Sequence, residues 1–318
     1  MKNPTISVVI PVRNEAANIR DCLEGILNQT LEVQEIVVVD SGSTDGTLEI
    51  LNEYDNVKTI RIDPADFNHG LTRNLGVRHA QGDLVVLTVG DARPANDRWL
   101  ENMVRHFNDP EVAGVCGQQV VPHEKGKNPH EWFRPQHPPD VKKYQFHSRK
   151  EFDDLAPLEQ YNACRWDDVT AVYRREVNLQ HPFQPVTYGE DMVWAREVLC
   201  SGKKIVYDTS AKIYHYHNTS YSFQVKRTLT LLYHVYRYFD YIKPNPVQAT
   251  DPFRIIYRNL KYKAGWEWIP YNFLKITATC LAHWQFRRWL KRGEAYLDQK
   301  HQATCGIPPQ PAKRTAAG

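Results

Sequence analysis

Along the first ninety residues, apolar positions fall into short unbroken runs, and the polar stretches between them carry apolar residues at helical spacing. "ISVVIP", "EIVVVD", "VKTIRI" and "DLVVLTV" are β-branched runs of strand length. Between them, residues 15–28 place Ile19, Leu23, Ile26 and Leu27 on one helical face, and "DGTLEILNEY" and "HGLTRNLGVRHA" are helix-like. Strand alternating with helix predicts an α/β fold, with a mostly parallel central sheet and helices on both faces. Continuous apolar strands agree, because such strands are covered on both sides.

The pattern dissolves over residues 123–160, which read as a long loop or lid. Regularity returns with "DDVTAVYRREV", a helix over 190–201, and the strand-like "KIVYD" and "AKIYHYH". Beyond 221 the chain is helical and aromatic, and residues 306–318 have the composition of a disordered tail.

Composition narrows the function classes. With 318 residues, 42% hydrophobic and 24% charged, the chain suits one large domain with an appendage. A net charge of +3, and no run of basic residues interleaved with stacking aromatics, argue against a nucleic-acid partner. The six cysteines (22, 116, 164, 200, 280 and 305) have neither CxxC nor zinc-finger spacing, so a reducing compartment without structural zinc is expected. "MKNPT" leads directly into the first strand, and no apolar run reaches about eighteen residues. The expectation is a cytoplasmic protein, at most peripheral on a membrane.

In open sheets of this kind, ligands sit beyond the carboxyl ends of the strands. Those ends are Pro11–Glu15, Asp40–Asp45 and Gly90–Arg93. Asp91 can hold a divalent cation beside a phosphate, with Gly90 allowing close approach, or it can simply cap a helix starting near residue 96. Asp40, followed by Ser41, can accept from the N3–H of a pyrimidine or serve its own turn, which leads into a helix capped by Ser43 or Thr44. Leu71 and Leu75 mark a core face, so Arg73 beside Asn74 projects elsewhere and reaches a phosphate, a base carbonyl or solvent.

In "YGEDMVWAREVL", Glu190 and Asp191 fall in a helix's first turn. The dipole alone favours acids there, and one of them can take a proton from a hydroxyl. His215 and His217 share a face of an extended strand, where they can complete a metal site with Asp91 or merely line the surface.

The segments "SVVIPVRNEAANI", "EIVVVDSGSTDGT", "FNHGLTRNLGVRHAQGD", "LTVGDARP", "YGEDMVWAREVL" and "YHYHNTSYS", over roughly residues 5–225, resemble glycosyltransferase family 2. These are inverting nucleotide-sugar enzymes of GT-A fold, and the likeness is to the bacterial rhamnosyltransferase-like branch. It implies a catalytic domain over 1–220, with a nucleotide-sugar half to about 122 and an acceptor half from about 123, then a helical region over 221–305. Pro11, Val12, Arg13 and Glu15 would line the nucleoside pocket with Asp40, Ser41, Arg73, Asn74 and Gly90. Asp91 would hold Mg2+ or Mn2+, aided by His217 or His215, although Val89 replaces the first carboxylate of the family's Asp-x-Asp signature. Asp191, with Glu190 beside it, would be the base, and Trp166, Tyr188 and Trp194 would meet the acceptor.

The implied reaction moves a sugar, rhamnose from a dTDP donor, to a hydroxyl of a glycan or polyprenyl-linked saccharide in polysaccharide or lipopolysaccharide synthesis. A helix N-terminus is expected to keep Asp191 ionised and make it a weaker base. The competing possibility is a non-catalytic sugar-nucleotide or glycan-binding module. Residues 254–292 carry nine Lys or Arg against Glu267 alone, with Trp266, Trp268, Trp284 and Trp289, as expected of membrane docking or of a solvated basic face.

Overall fold

A computed structural model of the chain describes residues 4–122, 128–129 and 139–306. The predicted tail beyond 306 and residues 123–127 and 130–138 of the predicted lid lie outside the described residues.

Nine strands form one sheet among the described residues: β1 (Ile6–Val12), β2 (Glu35–Asp40), β3 (Val57–Arg61), β4 (Leu84–Leu87), β5 (Arg93–Pro94), β6 (Val112–Val120), β7 (Val141–Tyr144), β8 (Ala171–Arg174) and β9 (Lys204–Tyr214). Their order is β3-β2-β1-β4-β8-β6-β9-β5, with β7 also pairing β9. Strands β1 to β4 are mutually parallel, and β6 runs parallel to β9. β8 lies antiparallel between β4 and β6, so the sheet is mixed. Val8, Val9, Ile10, Val37, Val38, Val39, Val85, Val86 and Leu87 are wholly buried, as strands covered on both faces require.

The helices are α1 (Ile19–Leu27), α2 (Thr47–Leu51), α3 (His69–His79), α4 (Trp99–Val104), α5 (Arg149–Asp153), α6 (Pro157–Ala163), α7 (Arg175–Gln180), α8 (Glu190–Cys200), α9 (Tyr221–Phe239), α10 (Asp251–Lys261), α11 (Trp268–Leu290) and α12 (Glu294–Cys305). The described residues fall into two compact units. The first draws on described residues 4–120, 139–155 and 162–216 and holds the sheet; the second draws on described residues 121–122, 128–129, 156–161 and 217–306. In the second, Leu229, Leu232, Tyr233, Ala278, Ala282, Phe286 and Leu297 pack a separate helical core.

Several local expectations are corrected. The helix after Asp40 is not capped by Ser43 or Thr44: it begins at Thr47 behind Gly46, whose φ of +96° suits glycine. Ser43 instead accepts from Asn14 N–H at 2.9 Å, and Thr44 N–H donates to Asn14 Oδ1 at 2.8 Å, tying two strand-end loops together. "KIVYD" and "AKIY" form one strand, β9, which ends at Tyr214, so His215 and His217 lie past it. Residues 139–163 are not all loop, since they hold β7, α5 and α6.

Candidate active site

Strand directions bring the chemistry to one rim. The carboxyl ends of β1, β2, β4, β6 and β9 share an edge of the sheet, and antiparallel β8 delivers its amino end there, with Ala171 opposite Leu87. Beyond β4 the chain crosses to β5, whose Arg93 pairs with Tyr214. That crossing carries Asp91 from the end of β4 to the residue after β9.

Asp91 Oδ1 lies 3.5 Å from His215 Nε2. Asp91, His215 and, two residues further along the same backbone, His217 each offer one ligand atom within 4.8 Å of the others. Gln119, at the end of β6, fixes the imidazole. Its Nε2 donates to Asp167 Oδ2, so its Oε1 faces His215 Nδ1 at 2.7 Å and accepts that ring's proton. In the neutral ring so held, Nε2 carries the lone pair and faces Asp91 Oδ1. Two acceptors aimed at each other fit a cation, and a second carbonyl holding the far ring nitrogen is the usual support of a metal-binding histidine. Val89 packs against the core and supplies no ligand.

The nucleoside corner is built beside it. Val12 pairs with Asp40 across β1 and β2, and Ser41 donates to Val12 O from both its N–H (3.0 Å) and its Oγ (3.1 Å). Asp40 is buried and accepts from the N–H groups of Gly42 and Ser43, each at 3.2 Å, so it holds its own turn. Pro11 is half-buried and Arg13 exposed on the same loop. A Cβ on Gly90 would stand 3.0 Å from Glu15 Cγ and 3.1 Å from Val12 Cγ1, so the Gly90–Asp91 turn touches the end of β1 directly. Burial, with Asp91 and Glu15 nearby, pushes the Cys22 thiol far up and makes it inert.

Arg73 corrects the sequence expectation. α3 buries Gly70, Thr72, Arg73, Asn74, Gly76 and Val77, whereas Leu71 is exposed and Leu75 half-buried. Arg73 Nη1 donates to Glu190 Oε1 at 2.7 Å and to His69 O at 3.1 Å, and its Nε faces Asp168 Oδ2 at 3.4 Å. Burial works against its charge, and the carboxylates of Asp168 and Glu190 outweigh that. Asn74 is equally committed, exchanging hydrogen bonds with the backbone of Phe183 at 2.8 and 3.0 Å. Neither reaches out towards a ligand. Glu190 is likewise no free base, since it is the partner of Arg73.

Asp191 is half-buried, with Met192 N–H donating to its Oδ1 at 2.7 Å. Burial, then Glu190, Asp168 and Asp167, push its carboxyl well above the ordinary range. This reverses the expectation of a weakened base: burial first, and then three neighbouring acids, outweigh the helix dipole. Asp168 is raised to about 7, by burial above all, even beside Arg73. It also accepts from Tyr173 OH, which accepts from Trp166 Nε1 at 2.6 Å.

The acceptor role expected of two tryptophans fails on burial. Trp194 is 0% exposed and packs edge-on to Tyr173, 4.5 Å between centroids; Trp166 is buried 5.4 Å from Trp194. Tyr188 is half-buried.

Gln119, Asp167 and Asp168 escape the sequence reading. The available signals are a polar "GQQ" closing an apolar strand and paired acids just before another. Only the antiparallel direction of β8 brings those acids to the rim. Gln119 and Asp167 then join the Asp91–His215 corner to the acids around Asp191.

Residues 7–180 match the family model Glycosyl transferase family 2. The O-antigen chain rhamnosyltransferase RfbN of Salmonella typhimurium is 31% identical over 218 residues, 67% of each chain. WbaN of Salmonella anatum, also an O-antigen chain rhamnosyltransferase, is 30% identical over 229 residues, covering 68% of this chain and 67% of its own. In fold, the chain is similar to the mannosyltransferase PcManGT from Pyrobaculum calidifontis, solved with GDP-Man and Mn2+. That match has a TM-score of 0.58 and 20% identity and covers 96% of this chain and 88% of that one.

Proposed function

Because the chain belongs to glycosyltransferase family 2 and is a glycosyltransferase, we propose that it moves rhamnose, with inversion, from a nucleoside-diphosphate donor to a hydroxyl of a growing cell-surface glycan. The rhamnosyl assignment rests on the two Salmonella relatives, and dTDP is the nucleotide to test first. The observation that carries the chemistry is Asp191, a carboxyl of raised proton affinity at the strand-end rim.

In the proposed reaction, the acceptor hydroxyl attacks the anomeric carbon opposite the diphosphate, and its proton passes to Asp191. A carboxylate whose charge is disfavoured by burial takes that proton more readily than a solvated one. Arg73 and Asp168 act as positioning residues: Asp168 faces the Arg73 guanidinium, Arg73 holds Glu190, and through the first turn of α8 this fixes where Asp191 points. The loop from Pro11 to Glu15, with Asp40 and Ser41 at the adjacent strand end, would hold the nucleoside.

Asp91 and His215, with His217 beside them, would hold a divalent cation. Bound there, it would offset the negative charge developing on the departing diphosphate. An imidazole among the donors favours Mn2+ over Mg2+, which prefers oxygen ligands. Gln119 keeps the His215 ring in the metal-ready tautomer.

The test is a donor panel of dTDP-rhamnose, GDP-mannose and UDP-GlcNAc, each with Mn2+ or Mg2+, offered to saccharide acceptors. Transfer from dTDP-rhamnose with inverted anomeric configuration is expected. Transfer only from another donor would overturn the rhamnosyl assignment, and retained configuration would overturn the single-displacement mechanism.

A further inference from the structure

We propose that α10 is an interfacial helix that docks the protein onto an anionic lipid bilayer. An ordinary surface helix turns its apolar stripe inward and its polar face to water. α10 does the reverse. Its inward side is narrow, made of Ile255 and Asn259. On the outward side, Ile256, Leu260, Phe253 and Tyr257 fall side by side at helical spacing, with Phe253 75%, Tyr257 62% and Leu260 57% exposed. Arg254, Arg258 and Lys261 occupy the neighbouring arc. Just past the helix, Trp266 is 72% exposed.

Charge selects the occupant. From Pro252 to Trp266 there are four basic residues, Arg254, Arg258, Lys261 and Lys263, and no acid. Arg254 shares its charge with Asp251 at 3.2 Å, while Lys261 Nζ lies over the rings of Tyr257 and Tyr262 at 5.7 and 5.5 Å. An apolar strip edged by cations and ending in an exposed tryptophan is the composition of a helix lying in the headgroup plane of an anionic membrane. A second copy fits poorly, because a two-fold contact would set this basic patch against itself. The helix has eleven residues, and no helix among the described residues is long and apolar enough to cross a membrane, so docking lies in the plane.

The inference deepens the reading of a surface-glycan transferase, since a lipid-linked acceptor would be met at such a surface. Its test uses neither donor nor acceptor, so the two fail separately. The full chain is co-sedimented with vesicles of phosphatidylcholine alone or mixed with phosphatidylglycerol, at low and high salt. Binding to the anionic vesicles, weakened by salt, is expected. Phe253→Ser with Leu260→Ser should weaken it at least about tenfold, and Lys261→Glu with Lys263→Glu should do likewise. Circular dichroism should be unchanged in both variants, whose substituted side chains are exposed.

Three outcomes would overturn the proposal. One is absence of binding to anionic vesicles, and another is equal binding by wild type and the serine variant. The third is a dimer in light scattering that the serine variant converts to monomer, which would give the face to a second copy.

Discussion

Arg73 and Glu190, 117 positions apart in the chain, share a buried hydrogen bond of 2.7 Å that pins the first turn of α8 to α3. Removing the arginine leaves Glu190 and Asp168 as uncompensated buried acids. Arg73→Met should cost about 3–5 kcal/mol of stability, read by urea unfolding. An unchanged urea midpoint would show that the pair does not lock the site.

Asp191→Asn should lower transfer about 10²–10⁴-fold while nucleotide affinity, measured by calorimetry, stays the same. Near-normal turnover would refute its assignment as base.

The pH profile tests the same carboxyl. A general base must be ionised, and burial together with Glu190 raises the affinity of Asp191 for its proton. The acid limb of kcat should therefore lie well above the ordinary carboxylate range. Glu190→Gln removes a neighbouring negative charge, so it should move that limb to lower pH. Movement to higher pH would contradict the electrostatics.

Gln119→Leu removes the acceptor that holds His215 Nδ1–H without touching the metal-facing atoms. Affinity for Mn2+ in the presence of nucleoside diphosphate, measured by electron paramagnetic resonance, should fall about 10–100-fold. No change would mean that Gln119 only packs the rim.

In the helical unit, His301 stacks on Tyr233 at 3.9 Å and stands 5.7 Å from His234, with Tyr238 beside the latter and Asp298 accepting from Tyr233 OH. Burial lowers both imidazoles from the ordinary 6.5 to about 4. Well above pH 6.5 both are neutral whether folded or unfolded. As pH falls towards 4, the unfolded chain binds protons that the folded chain refuses, so stability is lost over that window, roughly 3 kcal/mol for each ring. His301→Phe should flatten the dependence of urea midpoint on pH, and an unaltered slope would count against the assignment.

Gly76→Ala separates local from tertiary effects. Within a helix, alanine is intrinsically better by about 1 kcal/mol. At this position its Cβ would lie 2.3 Å from Val9 Cγ1, so the net effect should be a loss of about 1–3 kcal/mol in thermal or urea unfolding.

What the sequence alone determines here is the periodic part. Unbroken runs such as "SVVI" and "IVVV" specify buried parallel strands, because strands covered on both faces have no polar side, and the rule that ligands gather at their carboxyl ends leads to Asp40 and Asp91. What those residues touch was decided by the tertiary structure. Arg73 looks like a surface cation beside Leu71 until Glu190 and Asp168 arrive from distant parts of the chain and make its burial favourable. Trp194 looks like a sugar platform until Tyr173 and Trp166 enclose it. Gln119 and Asp167 acquire a role only because β8 runs antiparallel and brings its first residues to the rim. Such runs are a local property written in consecutive residues, whereas ion pairing, burial and strand direction depend on partners that can lie more than a hundred positions away.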